Sequence, residues 1–164
     1  MPIRPAGPTD AGAIAEILVS SWDATYRGLI PDEVIDRLTV DARTEQWAEA
    51  IAAGRTVLLD EDDHGVAGFC SVAPRTAGPD PAGEITALYV APGRTGQGHG
   101  SRLLRSALGW MRERGCGEAV VWVLASNGGA RAFYEATGWV SDGAVTVDDS
   151  FGAPLEEVRY RTPL

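Results

Sequence analysis

Three alternating glycines, Gly96, Gly98 and Gly100, open what reads as a helix with Leu103, Leu104, Ala107, Leu108 and Met111 on its buried side. A helix start offers unpaired backbone N–H groups and the positive end of the peptide dipole. Glycines leave that backbone open to close approach, because no Cβ stands over it. The combination suits an anion, and a diphosphate first of all. Upstream, Glu84 begins an otherwise apolar strand that runs to Val90. A carboxylate at such a boundary is partly desolvated, which raises its pKa toward the range of a general base. The two-residue period of a strand puts Glu84, Thr86, Leu88 and Val90 on one face. Downstream, Tyr134 sits in a Phe-Tyr-Glu triplet. A phenol of ordinary pKa is protonated at neutral pH and can donate to a departing anion. It also has the helical spacing of a core aromatic, beside Ala130 and Phe133.

Exclusion narrows the phosphate ligand. A Walker-type loop needs a lysine on the terminal phosphates, but all 14 basic residues of this chain are arginines. A Rossmann fingerprint needs G-x-G-x-x-G and an acid at the end of the next strand. Here the third glycine falls one residue early, and Glu118 precedes the next strand.

Glu84 to Pro92, followed by Thr95-Gly-Gln-Gly-His-Gly-Ser101, resembles the acetyl-CoA loop of the GNAT N-acetyltransferase superfamily. That loop reads Gln/Arg-x-x-Gly-x-Gly/Ala. Gly98 and Gly100 match its two glycines, and Gly96 fits a common variant. Thr95 stands where the family has Gln or Arg, with Arg94 one residue early. A second segment, Asn127-Gly-Gly-Ala-Arg-Ala-Phe-Tyr-Glu-Ala-Thr-Gly-Trp139, resembles the family's Asn-x-x-Ala-x-x-Phe-Tyr-Glu-x-x-Gly-Phe. Two motifs in the right order are far more specific than either alone. The resemblance covers residues 2 to 162, most strongly 66 to 140.

It implies an acetyl-CoA cosubstrate, with the backbone N–H groups of Thr95, Gly96, Gln97, Gly98, His99, Gly100 and Ser101 on its diphosphate. Backbone groups of Leu88 and Val90 would hold the acetyl carbonyl and the pantetheine amides. Asn127 would cap its helix and also contact the cofactor arm. Arg94, Arg102 and Arg131 could approach phosphates, or be solvated surface arginines. Glu84 would act as base, often through water in the family, and Tyr134 would stand beside the cofactor sulfur as acid. His99 occupies a tolerant position and makes neither a metal site nor a triad. Trp22, Asp23 and Tyr26 would line the acceptor wall. Their Trp-x-x-x-Tyr-Arg-Gly-Leu-Ile-Pro context looks like a bacterial subgroup that includes polyamine acetyltransferases. Aromatic rings and Asp23 could bind an ammonium by cation–π and charge contacts. Cys116 has no positioned histidine, so direct transfer without an acetyl-enzyme is expected. Homodimers are common among similar proteins.

Two readings lead, and a third trails them. One is an N-acetyltransferase acting on a primary amine of a small molecule or peptide. The other is a non-catalytic acyl-CoA sensor on the same fold. A nucleotide-binding module is a third. Bulk properties restrict the rest. A net charge of −9 opposes general binding to nucleic acid or an anionic membrane. No apolar run approaches membrane-spanning length. Two scattered cysteines without metal spacing fit a reducing cytoplasm. Glu61 to Asp63 with His64 reads as a solvated hairpin tip, so no metal is expected.

The elements that must position these residues follow from pattern. Residues 1–164 read as one α/β domain. A mixed, mostly antiparallel sheet of six to seven strands and four or so helices is expected, and the resemblance adds a central parallel pair splayed for the cofactor. Ile3 to Pro5 is an edge strand. Thr9 or Asp10 caps a helix carrying Ile14, Ile17 and Leu18. Short helices follow at 32–38 and 44–53. A hairpin at 55–73, a loop at 75–83, the strand 84–90, a doubly covered strand at 119–125 and two last strands complete the chain.

Overall fold

The computed structural model describes residues 2–75 and 80–164. One seven-stranded sheet runs β1-β2-β3-β4-β5-β7-β6. Its strands are β1 (Arg4–Pro5), β2 (Thr56–Asp62), β3 (Gly65–Arg75), β4 (Ala82–Val90), β5 (Glu118–Leu124), β6 (Val140–Asp148) and β7 (Leu155–Pro163). All pairings are antiparallel except β4 with β5. The helices are α1 (Ala11–Tyr26), α2 (Asp32–Asp36), α3 (Val40–Ala52), α4 (His99–Glu113) and α5 (Gly128–Ala136). Part of the loop expected at 75–83 belongs to β3 and β4; residues 76–79 lie outside the described residues. No helix among the described residues is long and apolar enough to cross a membrane.

The sheet separates two cores. Ile14, Leu18, Val34 and Ile35 of the first helices pack with Val57, Leu59 and Phe69 on one face. Leu103, Ala107 and Met111 of α4, with Tyr134 of α5, pack with Cys70, Val72, Ile85 and Val121 on the other. Burial pushes the Cys70 thiol up to about 12, so it is an inert core residue. The helix starts differ from simple capping expectations. Asp10 precedes α1, but its carboxylate turns back to accept from Gly7 N at 2.8 Å and to pair with Arg4. Helix α3 begins at Val40 because Thr39 caps it, Oγ1 accepting from Ala42 N at 3.2 Å.

A bulge in β4 corrects the expected strand phase. Ser71 pairs with Ala87 and Val72 with Ile85, which leaves Thr86 as the extra residue. The side-chain alternation therefore breaks at Thr86. Leu88 packs with the α4 core, whereas Ala87 and Tyr89 pack with the α1 core. Thr86 stays on the α1–α3 side, where Arg55 reaches it. Glu84, Thr86, Leu88 and Val90 thus do not share one face.

Gly68 of β3 lies where three layers meet. A Cβ there would stand 2.8 Å from the Tyr89 carbonyl oxygen and 3.0 Å from Leu103 Cδ1. The backbone oxygen cannot yield as a flexible side chain would. Gly68→Ala should cost about 1–3 kcal/mol of stability, read as a lower urea midpoint. An unchanged midpoint would show that the sheet here is not tightly packed.

Candidate active site

Strands β4 and β5 pair in register only from Ala82–Glu118 to Ile85–Val121. Beyond that point β4 continues to Val90 and β5 to Leu124 without pairing to each other. A cleft of about 370 Å3 fills the gap. Leu88, Val90 and Thr95 line one side, with Val123, Asn127 and Tyr134 opposite. The open edge of β4 is the kind of surface that accepts hydrogen bonds from an extended, amide-bearing ligand.

The glycine loop stands at the cleft's end. Gly93, Gly96 and Gly98 have φ of 84°, 75° and 87°, values that favour glycine. Gly98 is the N-cap of α4. Gly100 has no positive φ, and a Cβ there would make only ordinary contacts near 3.7 Å. Thr95, Gly96, Gln97 and Gly98 are exposed. Among the described residues, the amides of Thr95 to Ser101 donate to no backbone or side-chain acceptor. They form a ready anion cradle.

Underneath lies a charged network that sequence reasoning missed. Asp60 of β2 is 1% exposed and His99 is 4% exposed. His99 Nδ1 is 2.8 Å from Asp60 Oδ2 and 2.8 Å from Arg102 Nη2. The ring can donate from Nδ1 to Asp60 or accept there from Arg102, but not both at once. Arg102 Nε also donates to Asp60 at 3.0 Å. Asp60 therefore pins the first turn of α4 to the sheet. Arg94 pins the loop's other end. It donates to the Val66 carbonyl at 2.8 Å and the Gly65 carbonyl at 3.1 Å, and it pairs with Asp62. The Arg94 and His99 side chains are thus committed to structure rather than directed at a phosphate. Arg131 is also engaged, donating to Tyr160 Oη and to the Ala125 carbonyl, each at 3.1 Å.

Asn127 caps α5 as expected, its Oδ1 accepting from Ala130 N at 3.1 Å. Its Nδ2 remains on the cleft side, 3.5 Å from Tyr26 Oη. Tyr134 is 5% exposed and lies on the cleft wall, edge-on to Phe133 and Trp139. Burial, with smaller effects from Cys70 and Tyr26, raises its pKa and keeps the phenol protonated. Trp22 and Tyr26 are buried on the cleft wall, and Trp22 Nε1 donates to Tyr89 Oη at 3.0 Å. Asp23 is elsewhere. One residue turns the helix by about 100°, so its carboxylate lies on the outer face of α1, paired with Arg27.

Glu84 is half-buried. Desolvation raises its pKa, opposed by the charges of Arg75 and Arg55. It borders the cleft but is not part of its lining. Glu157 and Asp148 do line it. Burial first, then the charges of Asp148 and Glu84, raises the pKa of Glu157. The alternation in β7 would turn one of Glu156 and Glu157 inward, but without the register it could not say which.

A core divided by a splayed sheet, with a glycine cradle at the mouth of the gap, defines an acetyltransferase-like class. The acetyltransferase (GNAT) family model matches residues 14–139, and the chain belongs to that family. YuaI of Bacillus subtilis, described as an uncharacterized N-acetyltransferase, is 31% identical over 126 residues, which cover 76% of this chain and 72% of YuaI. A GCN5-related N-acetyltransferase structure from Rhodopseudomonas palustris superposes with a TM-score of 0.80 at 25% identity, covering 99% of this chain and 94% of that one. The structure of yncA from Salmonella typhimurium, solved with its cofactor acetyl-CoA, has a TM-score of 0.72 at 24% identity, covering 100% and 94%.

Removing the Asp60 carboxylate should unpin the cradle. Asp60→Ala leaves the buried His99 ring without its anion and should cost about 3 kcal/mol, measured by urea unfolding. A loss below about 0.5 kcal/mol, the ordinary effect of a surface change, would show that the network holds nothing.

Proposed function

We propose that this protein is an acetyl-CoA-dependent N-acetyltransferase that acts directly on a primary amine. The separation of β4 from β5 beneath unpaired glycine-loop amides carries the reading. A slot flanked by a strand edge fits an extended amide chain, and the cradle at its mouth fits a diphosphate. The presence of acetyl-CoA in the yncA structure supports the same ligand.

The residues divide the chemistry. Amides of Thr95 to Ser101 bind the diphosphate. The backbone of Leu88 and Val90 orients the thioester, which supplies the acetyl group. Holding the two reactants together contributes much of the rate. Glu84 takes a proton from the ammonium through water, so that nitrogen can attack the acetyl carbonyl. As the C–N bond forms and the C–S bond breaks, Tyr134 donates its proton to the leaving thiolate. Trp22 and Tyr26 shape the acceptor side, and Asn127 Nδ2 serves the cofactor arm. Glu157 is a second candidate base, because it lines the cleft itself and is half-buried.

Glu84→Gln should lower kcat by roughly 100-fold or more with acetyl-CoA affinity unchanged. A group that must be ionised to act loses activity as pH falls through its pKa. The acid limb of the wild-type pH profile should therefore lie above the ordinary glutamate value near 4.5, and Glu84→Gln should lack it. A fully active Glu84→Gln beside an inactive Glu157→Gln would transfer the base role to Glu157. Tyr134→Phe should reduce kcat at least tenfold with the acetyl-CoA dissociation constant unchanged; an equal kcat would remove Tyr134 from proton transfer. Acetyl-CoA binding with no thiol release on any amine would point to a sensor instead.

A further inference from the structure

A second cavity, of about 330 Å3, opens on the α1–α3 side of β4. It shares Trp22, Thr86, Ala87, Tyr89 and Phe151 with the cofactor cleft. An acceptor approaching the splayed strand edge from that side would pass along it. The far wall comes from α3 and the turn after it, and it carries two arginines, Arg43 and Arg55.

Neither guanidinium lies within ion-pair distance of a carboxylate among the described residues. Arg4, Arg27, Arg94, Arg102, Arg159 and Arg161 all do. Arg43 is partly buried. It donates to Gln46 Oε1 at 2.9 Å, and its guanidinium carbon stands 5.3 Å from the Phe151 ring centre. Burial lowers its pKa. Arg55 donates to Thr86 Oγ1 at 3.2 Å, and that hydroxyl donates to Ser71 Oγ at 2.8 Å. The bulge leaves this hydroxyl on the arginine side and brings Ala87 to the same side. The charge of Arg55 opposes the rise of the Glu84 pKa, although the two form no ion pair.

Arginine presents a planar fork suited to a carboxylate or similar oxyanion. Eight of the 14 arginines form no ion pair among the described residues; Arg43, partly buried, and Arg55, exposed at the rim, are the two that stand together on this cavity's wall. The adjoining cleft carries Glu157 and Asp148, with Glu84 close enough to act on Glu157 by charge, and these groups favour an ammonium. The region is polarised, with cations on one wall and carboxylates at the transfer edge.

We propose that the second cavity is the anion subsite of the acceptor, and that the acceptor is a small zwitterion: an amine that also carries a carboxylate or like oxyanion. Arg43 and Arg55 hold the oxyanion, and the amine points toward Glu84 and Glu157. This rests on the transferase reading above. A polyamine would instead set cationic ends against two guanidiniums.

The test pairs each common amino acid with its carboxamide, plus spermidine, in an acetyl-CoA thiol-release assay. At least one free amino acid should exceed its carboxamide tenfold or more in kcat/KM. Arg43→Gln and Arg55→Gln should each raise KM for that amino acid about tenfold. KM for the carboxamide and affinity for acetyl-CoA should not change. Equal use of acid and carboxamide, preference for spermidine, or unaltered KM in both variants would overturn the subsite. Calorimetric titration of the amino acids into CoA-saturated protein separates the two readings. Carboxylate-selective binding lost in Arg43→Gln, with no thiol release, would keep the subsite and sink the transferase. Thiol release with no carboxylate preference would do the reverse.

Discussion

The pairing of β4 with β5 stops after Ile85 and Val121, and the functional architecture depends on that stop. A parallel pair at the centre of a sheet would ordinarily continue to the strand ends, since unpaired backbone groups inside a protein are costly. Here each strand keeps its outer partner, β3 on one side and β7 on the other. The inner edges separate, and side chains from α1 and α5 line the space between them. A ligand with its own amides could restore the missing hydrogen bonds, which is why the gap suits the extended cofactor arm proposed for it. The bulge at Thr86 serves the same end. It adds local twist near the point of divergence and resets the alternation, so that Thr86 and Ala87 both face the α1–α3 side.

Charge around the glycine loop is arranged for rigidity. Arg94 and Arg102 flank the cradle with His99 between them, and each is held by an acid of β2. That leaves the binding of an anion to backbone amides and the α4 dipole. Main-chain donors need little reorganisation on binding, provided the loop is fixed beforehand, and Asp60 and Asp62 fix it. Arg43 and Arg55, which share the wall of the second cavity and form no ion pair among the described residues, lie on the other side of the sheet.

Much of this was legible in the sequence because it is local. The glycine run, the apolar strand before it, the amphipathic α4 and the Asn127 cap are all short-range patterns, and the family motifs fall on the same residues. The parts that escaped depend on partners distant in the chain. Glu84, Thr86, Leu88 and Val90 obey a two-residue period only in an unbroken strand, and a bulge cannot be seen in β4 alone. Arg94 could equally be a phosphate contact or a surface arginine until Asp62 claims it, and nothing near His99 in the chain announces Asp60. Asp23 has a suitable charge but the wrong helical phase. Glu157 gains its place in the cleft from the β5–β7 register, which no local pattern encodes.

The most direct test is a crystal structure of the protein with coenzyme A. The diphosphate should lie within hydrogen-bond distance of the amides of Gly96 to Ser101, and the pantetheine arm should run between β4 and β5 toward Tyr134. A diphosphate bound elsewhere, or an arm lying outside the gap between those strands, would contradict the assignment of the cleft.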